Sequence, residues 1–323
     1  MKISVVIATY NEGPDLRASV ALAVRSRPKP WEIIVCDDHS DSDVAAELKS
    51  FPEVTLIRTP ERVGAGRCKG IGIEHAKGDV VIVLDAHMTF PSWWLNPIEE
   101  ACSLFPDSIF CSACQGFNYV PGRFVGAGAK FERNCIFPEP AWMGRTKKNA
   151  MEMVPCVYGG AYILPRQVLN EVPWNPCYYG WGCEEQDISL RTWMAGFQVR
   201  CLNDLIISHN FDRIDSNVPG ARMNAWQVCY NIQMMCMTLF EDGVYERLYK
   251  PFLQKTHMRG KTAQTLLDKE KEISSWRKRV QASRIYSDAE LNSLCQFRLP
   301  TEEFQMKMLH RTQRKVRTNG KPS

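Results

Sequence analysis

The sequence predicts an α/β fold with a mostly parallel central sheet flanked by helices, followed by a basic helical extension. Three observations carry this expectation. Short runs rich in β-branched residues alternate with helical stretches over the first hundred residues. The runs are apolar throughout, which suits strands covered on both faces. Charge is also divided: residues 247–323 hold 18 Lys/Arg against 7 Asp/Glu, leaving 22 against 29 in residues 1–246.

The elements follow in order. ISVVIAT (3–9) reads as a first strand, then NEGPD and a helix to about Arg25. WEIIVCD (31–37) is a second strand, followed by the polar DHSDSD and a helix through Leu48. VTLIRT (54–59) is a third, with a Gly-rich lead into a helix ending near Lys77, and GDVVIVLD (78–85) is the fourth. Parallel strands joined by right-handed crossovers gather their carboxyl ends at one crevice, where ligands bind in such sheets. Thr9–Glu12, Asp37–Ser40 and Asp85–His87 would meet there. Beyond them come the helical run LNPIEEACSLF, strands near 109–117 and 154–164, and the loop CYYGWGCEEQD (177–187). From about 222 the pattern is helical, including Lys261 to Val280, and the segment after Lys307 is almost purely basic and reads as disordered.

Composition narrows the class. The chain has 323 residues, 45% hydrophobic and 24% charged, ordinary for a globular protein. It contains no apolar run of about 18 residues, the length a membrane span needs. MKISVVIATY lacks the basic and cleavable features of a signal peptide, so cytoplasm is the expected setting. Thirteen cysteines, an odd number scattered singly, suit reduced thiols rather than a disulfide framework. Cys111 and Cys114 have CxxC spacing, but no second such pair completes a zinc site.

VIVLDAHMTF (80–89) asks why a buried strand should end on Asp85-Ala86-His87. A polar turn is one answer. The other is that residues i and i+2 of an extended segment share a side, so a carboxylate and an imidazole face one point as metal ligands must.

The order SVVIATYNE, IIVCDDHSD, VGAGRCKGIGIEHAKGDVVIVLDAH resembles the nucleotide-sugar half of family-2 glycosyltransferases with the GT-A fold. The block YGGAYILPRQVLNEV…YYGWGCEEQDISLRTWMAGFQV resembles the acceptor half, above all in the polypeptide N-acetylgalactosaminyltransferases. The resemblance covers residue 3 to about 213. It implies a catalytic domain over 1–220, with a nucleotide half to about 100 and an acceptor half after it, and an extension over 221–323. It implies a UDP-sugar donor, Mn²⁺ or another divalent cation, and His209 as third ligand beside Asp85 and His87, although a core role for His209 stays open. Carboxylate plus imidazoles suits Mn²⁺.

By the same resemblance Asp38, beside Asp37, would meet the uracil or ribose, with Ser40 or Asp41 capping the next helix. Thr9, Tyr10, Asn11 and Glu12 would wall the base, and Ala86 lies within the metal motif. Arg67 would reach the nucleotide, or lie on the surface. Gly159 and Gly160 would approach the sugar, and Trp181 and Gly182 would begin a closing loop. Glu184 would accept from sugar or acceptor hydroxyls. Glu185 stands where the retaining enzymes have Asn, and Cys183 where the loop has a second Gly. Glu185 is either solvated or a general base; similarity of the block argues for retention, Glu185 for inversion, and the reading leans to inversion.

The sequence shows no lectin-like repeat, stem or anchor, which points to a bacterial or viral relative. Two other classes, a sugar-nucleotide-binding protein without activity and a nucleotidyltransferase, fit less well. The first would lose a ligand or the acidic loop; the second would want a phosphate-gripping loop where TYNEGPD is acidic. The acceptor (protein, glycan or hydroxylated nucleic-acid base), the sugar and the oligomeric state stay open. The basic segment would attract a nucleic acid or an anionic membrane, or be a solvated extension.

Overall fold

The computed structural model describes residues 1–117, 124–132, 135, 137–146, 149–211, 225–251 and 260–301. The stretch after Lys307, expected to be disordered, lies outside the described residues. Four strands open the chain: β1 (Ile3–Thr9), β2 (Glu32–Asp37), β3 (Val54–Arg58) and β4 (Val80–Asp85). Helices α1 (Pro14–Val24), α2 (Val44–Glu47) and α3 (Ala65–His75) connect them. They pair in parallel in the order β3-β2-β1-β4.

The second half of the sheet is mixed. It comprises β5 (Met88–Thr89), β6 (Ser108–Gly116), β7 (Gly126–Phe131), β8 (Pro140–Gly144), β9 (Met151–Met153), β10 (Ala161–Pro165) and β11 (Gln198–His209). Beyond β4 the order continues β10-β6-β11-β5, with β10 antiparallel to both neighbours and β11 parallel to β6. Helix α4 (Leu95–Leu104) precedes β6, and α5 (Arg166–Glu171) and α6 (Glu184–Met194) lie between β10 and β11. The strand expected near 154–164 is interrupted: β9 ends at Met153, Cys156 makes an isolated bridge to Ala129 of β7, and the regular strand β10 begins only at Ala161.

Alternation along the strands builds a core on each face. Val6, Val81 and Val83 pack with Ile73 of α3, Val168 of α5 and Ile188 of α6. Val5, Ile7, Ile82 and Leu84 pack with Leu16 and Val20 of α1 and Ile98 of α4. Both faces are therefore dry, which is why the runs are apolar at every position. Helix α7 (Ala225–Leu239) adds Tyr230, Met234 and Met235 to the first core, and Trp276 and Val280 of the helix Glu270–Ala282 join it. Among the described residues no helix is long and apolar enough to cross a membrane.

Candidate active site

Register places the site. Thr9 stands beside Asp37, Ala8 beside Asp85, and Ala161 beside Leu84, so three parallel strands and the start of β10 finish at one level. The short antiparallel pairing of β11 with β5 sets His209 opposite Met88, next to the Asp85–His87 turn. That turn is strapped to α1: Ser19 Oγ lies 2.8 Å from Ala86 O and accepts from Met88 N at 3.0 Å. Asn210 N donates to His87 O at 3.1 Å.

Asp85, His87 and His209 converge, with one ligating atom from each within 4.8 Å of the others. Asp85 Oδ2 is 3.3 Å from His209 Nε2, and the two imidazoles meet edge to face at 4.7 Å. His87 Nδ1 is 3.1 Å from Glu12 Oε2, a carboxylate placed as the outer partner an imidazole ligand would need. One further observation fits a cation. A Cβ on Gly160 would lie 2.7 Å from Asp85 Oδ2 and 2.9 Å from His209 Cδ2, so only glycine leaves that space open. His209 Nδ1 is buried with no hydrogen-bond partner among the described residues. Burial opposes ionisation of Asp85, but Lys69 and both imidazoles hold its carboxyl far below the usual range.

The ends of β1 and β2 are held by carboxylates that face inward. Asp37 is fully buried, ion-paired with Arg58, and accepts from Ser40 N at 2.9 Å. It therefore braces the strand end, with Oδ1 on Ser40 N and Oδ2 on Arg58. Asp38 accepts from Val63 N at 2.6 Å and Gly64 N at 2.9 Å, fixing the loop ahead of α3. Burial pushes its pKa up to about 6 in spite of those N–H groups and Arg62. Asn11, at φ 52, clasps the second loop by Nδ2 to Asp41 Oδ2 at 2.8 Å and by accepting from Asp41 N at 2.7 Å. The cap of α2 is Asp43, whose Oδ1 accepts from Ala46 N at 3.0 Å, not Ser40 or Asp41. Thr9 is buried with its Oγ1 unpartnered among the described residues, and the Arg62 guanidinium lies 3.8 Å over the Tyr10 ring. Arg67 turns away from the crevice and pairs with Glu74 at 2.7 Å, two helical turns on.

The acidic loop closes the other side. Gly180 N donates to Val63 O at 3.4 Å and Gly66 N to Gly180 O at 3.3 Å, so this loop and the lead into α3 are joined. Trp181 is 48% exposed at the rim. Gly182 N donates to Glu184 Oε2 at 3.0 Å, while Glu184 Oε1 is buried without a partner among the described residues. Burial first, then the neighbouring Glu185, raise the Glu184 pKa to about 7 against the pull of Lys69. Tyr162 OH donates to Glu185 Oε1 at 2.6 Å. Gly159 sits against Cys114 and Trp142, where a Cβ would come within 2.9 and 3.0 Å.

Sequence reasoning missed Lys69, whose Nζ is 2.8 Å from Asp85 Oδ1. It also missed Tyr162, Arg62 and Asn231, which binds the backbone of Tyr179 and Trp181. A lysine among small residues on the sheet-facing side of α3 was the one signal available.

The family model described as glycosyl transferase family 2 matches residues 4–172. The chain belongs to that family. Within the family it resembles the polypeptide N-acetylgalactosaminyltransferases, and its fold is GT-A. It is 28% identical over 233 residues to a probable N-acetylgalactosaminyltransferase 6 of Caenorhabditis elegans, covering 64% of this chain and 37% of that one. It is 24% identical over 265 residues to polypeptide N-acetylgalactosaminyltransferase 12 of Mus musculus, covering 76% and 46%. The chain thus spans less than half the length of these curated relatives. The solved structure of GalNAc-T7 with UDP, GalNAc and Mn²⁺ matches at a TM-score of 0.69 and 20% identity, over 91% of this chain and 56% of that one.

Proposed function

We propose that this chain is a divalent-cation-dependent glycosyltransferase that moves a sugar from a UDP-sugar to a hydroxyl acceptor. The observation that carries the reading is the meeting of Asp85, His87 and His209 at the mouth between the nucleotide half and the acidic loop. Membership of glycosyl transferase family 2 supports it, as does the likeness to a structure solved with UDP, GalNAc and Mn²⁺.

Asp85, His87 and His209 would hold the cation, with Mn²⁺ matching the oxygen and nitrogen donors. When bound, it supplies Lewis-acid stabilisation of the charge on the departing diphosphate. Thr9 to Glu12 and the loop held by Asp38 shape the nucleotide wall. Glu184 presents a buried oxygen to a sugar or acceptor hydroxyl, and the Trp181–Gly182 loop excludes water. Glu185 serves as general base: Tyr162 fixes one oxygen, and Oε2 is left to take the acceptor proton. A base at this place gives inversion. The acceptor is a hydroxyl of a protein, a glycan or a modified nucleic-acid base. Thirteen free thiols belong to a reducing compartment, and a cytoplasmic, bacterial or phage setting is part of this reading.

The test is transfer, or donor hydrolysis, across a panel of nucleotide sugars, read by intact mass on candidate acceptors. Activity should vanish with a chelator and return with Mn²⁺. His209→Ala should lose it roughly a hundredfold while remaining folded. Full turnover in excess chelator overturns the reading.

A further inference from the structure

Lys69 lies on the face of α3 turned to the sheet and is 3% exposed. Its Nζ is 2.8 Å from Asp85 Oδ1 and 5.3 Å from the centre of the Tyr162 ring. The helix comes close enough for this because its inner positions are small. A Cβ on Gly72 would meet Val6 Cγ1 at 2.3 Å, and one on Gly70 would meet Trp174 at 2.9 Å. Taking an ammonium out of water is costly unless its partners are well placed, so Lys69 implies a demand at Asp85.

The two oxygens of Asp85 have separate duties. Oδ1 receives the ammonium, whereas Oδ2 faces His209 Nε2 at 3.3 Å, over the space left by Gly160. The backbone is pinned as well, since Asp85 N donates to Gly160 O at 3.1 Å. The carboxylate cannot turn to offer both oxygens without breaking a charge-assisted bond. The single carboxylate in the ligand set also carries its own counter-charge before any metal arrives.

The geometry points to Lys69 as an internal counter-cation of the metal site, a positioning residue that restricts Asp85 to one-oxygen ligation and offsets its charge. The inference rests on the reading that Asp85, His87 and His209 hold a divalent cation. Its consequence is that the empty protein retains free cation weakly, and that the diphosphate must bring the missing negative charge. The cation then enters and leaves with the nucleotide.

The experiment titrates Mn²⁺ by electron paramagnetic resonance, with and without saturating UDP, on the full chain and on Lys69→Met, Lys69→Gln and Lys69→Arg. In the unsubstituted chain UDP should tighten Mn²⁺ binding at least roughly tenfold. The two neutral variants should bind Mn²⁺ alone roughly tenfold more tightly, because a repelling charge is gone and Oδ1 is released. Their gain from UDP should shrink correspondingly, and Lys69→Arg should keep the original pattern. Unchanged or weaker binding of Mn²⁺ alone by folded Met and Gln variants overturns the proposal and leaves Lys69 a structural ion pair. If the neutral variants fold only when Mn²⁺ is supplied, the cation has replaced the ammonium beside Asp85, as proposed; if Mn²⁺ does not recover them, the proposal fails. An unsubstituted chain that takes up no Mn²⁺ even with UDP sinks the metal reading itself, a result distinguishable from the others.

Discussion

Gly64 and Gly180 touch back to back: a Cβ built on Gly64 would lie 2.3 Å from the Gly180 backbone. Both have positive φ, 91° and 73°, so neither position suits another residue. Through this contact the lead into α3 and the acidic loop become one wall. Gly64→Ala should cost about 2–4 kcal/mol in urea unfolding, since backbone must move, and Gly180→Ala less, since its Cβ would meet the Gln227 side chain at 2.6 Å. Gly13→Ala is the control. Gly13 has φ 53° but nothing within 4 Å of its Cβ direction, so only the conformational cost of about 1 kcal/mol applies. Equal losses at all three positions would show that the contact does not matter.

Cys183 occupies the left-handed region at φ 75° immediately before α6. Replacing it by glycine relieves strain and loses a small buried thiol, so stability should stay within about 1 kcal/mol. Cys183→Val puts a β-branched side chain in that conformation and should cost clearly more. Thermal unfolding gives the order, and a Val variant as stable as the Gly variant contradicts the backbone argument.

Asp38 and Glu184 set a pH dependence. Their pKa values are raised from 3.8 to about 6 and from 4.5 to about 7, so the folded chain holds these protons more tightly than the unfolded one. The stabilisation is complete below about pH 4 and disappears as pH rises through 6 and 7, by a few kcal/mol at most. Unfolding free energy should therefore decline between about pH 4 and pH 7, and Glu184→Gln should flatten the upper part of the slope. A rising stability over that interval would contradict the assignment.

Asn231 ties α7 to the rim of the site. Its Oδ1 accepts from Tyr179 N at 3.0 Å, and its Nδ2 donates to Tyr179 O at 3.0 Å and Trp181 O at 3.2 Å. Asn231→Ala should cost about 2 kcal/mol and raise the donor KM more than it lowers kcat, because the loop loses its anchor. An unchanged KM would confine Asn231 to stability.

For Glu185, Glu185→Gln should cut kcat by about a hundredfold or more with donor binding preserved, since an amide cannot take the acceptor proton. The anomer of the product, read by NMR, should be opposite to that of the donor. Retention with a mild effect of the substitution removes Glu185 from the chemistry.

The first half of the fold was legible because alternation of apolar strands and helices is a local signal. The ends of β1, β2 and β4 were placed by that pattern alone. Side-chain direction was not. Arg67 and Lys69 sit two residues apart on α3, and the one expected to reach the crevice pairs outward with Glu74 while the other is buried on Asp85. No periodicity separates them, since what buries Lys69 is the close approach allowed by Gly70 and Gly72. Asp37 and Asp38 likewise look equivalent in sequence, yet one braces Arg58 and the other the Val63–Gly64 amides. The role of α7 depends on contacts some fifty residues apart.

The place of β10 between β4 and β6 has a consequence for synthesis of the chain. On leaving the ribosome, β4 can pair at once with β1, but its other edge stays open until Ala161–Pro165 emerges. That edge belongs to VVIVLD, six residues that are apolar up to the aspartate, the composition most prone to intermolecular pairing. Nascent chains in which Ala161–Pro165 has not yet emerged are therefore the form most open to intermolecular pairing, and His209, 124 residues after Asp85, follows only later in the chain.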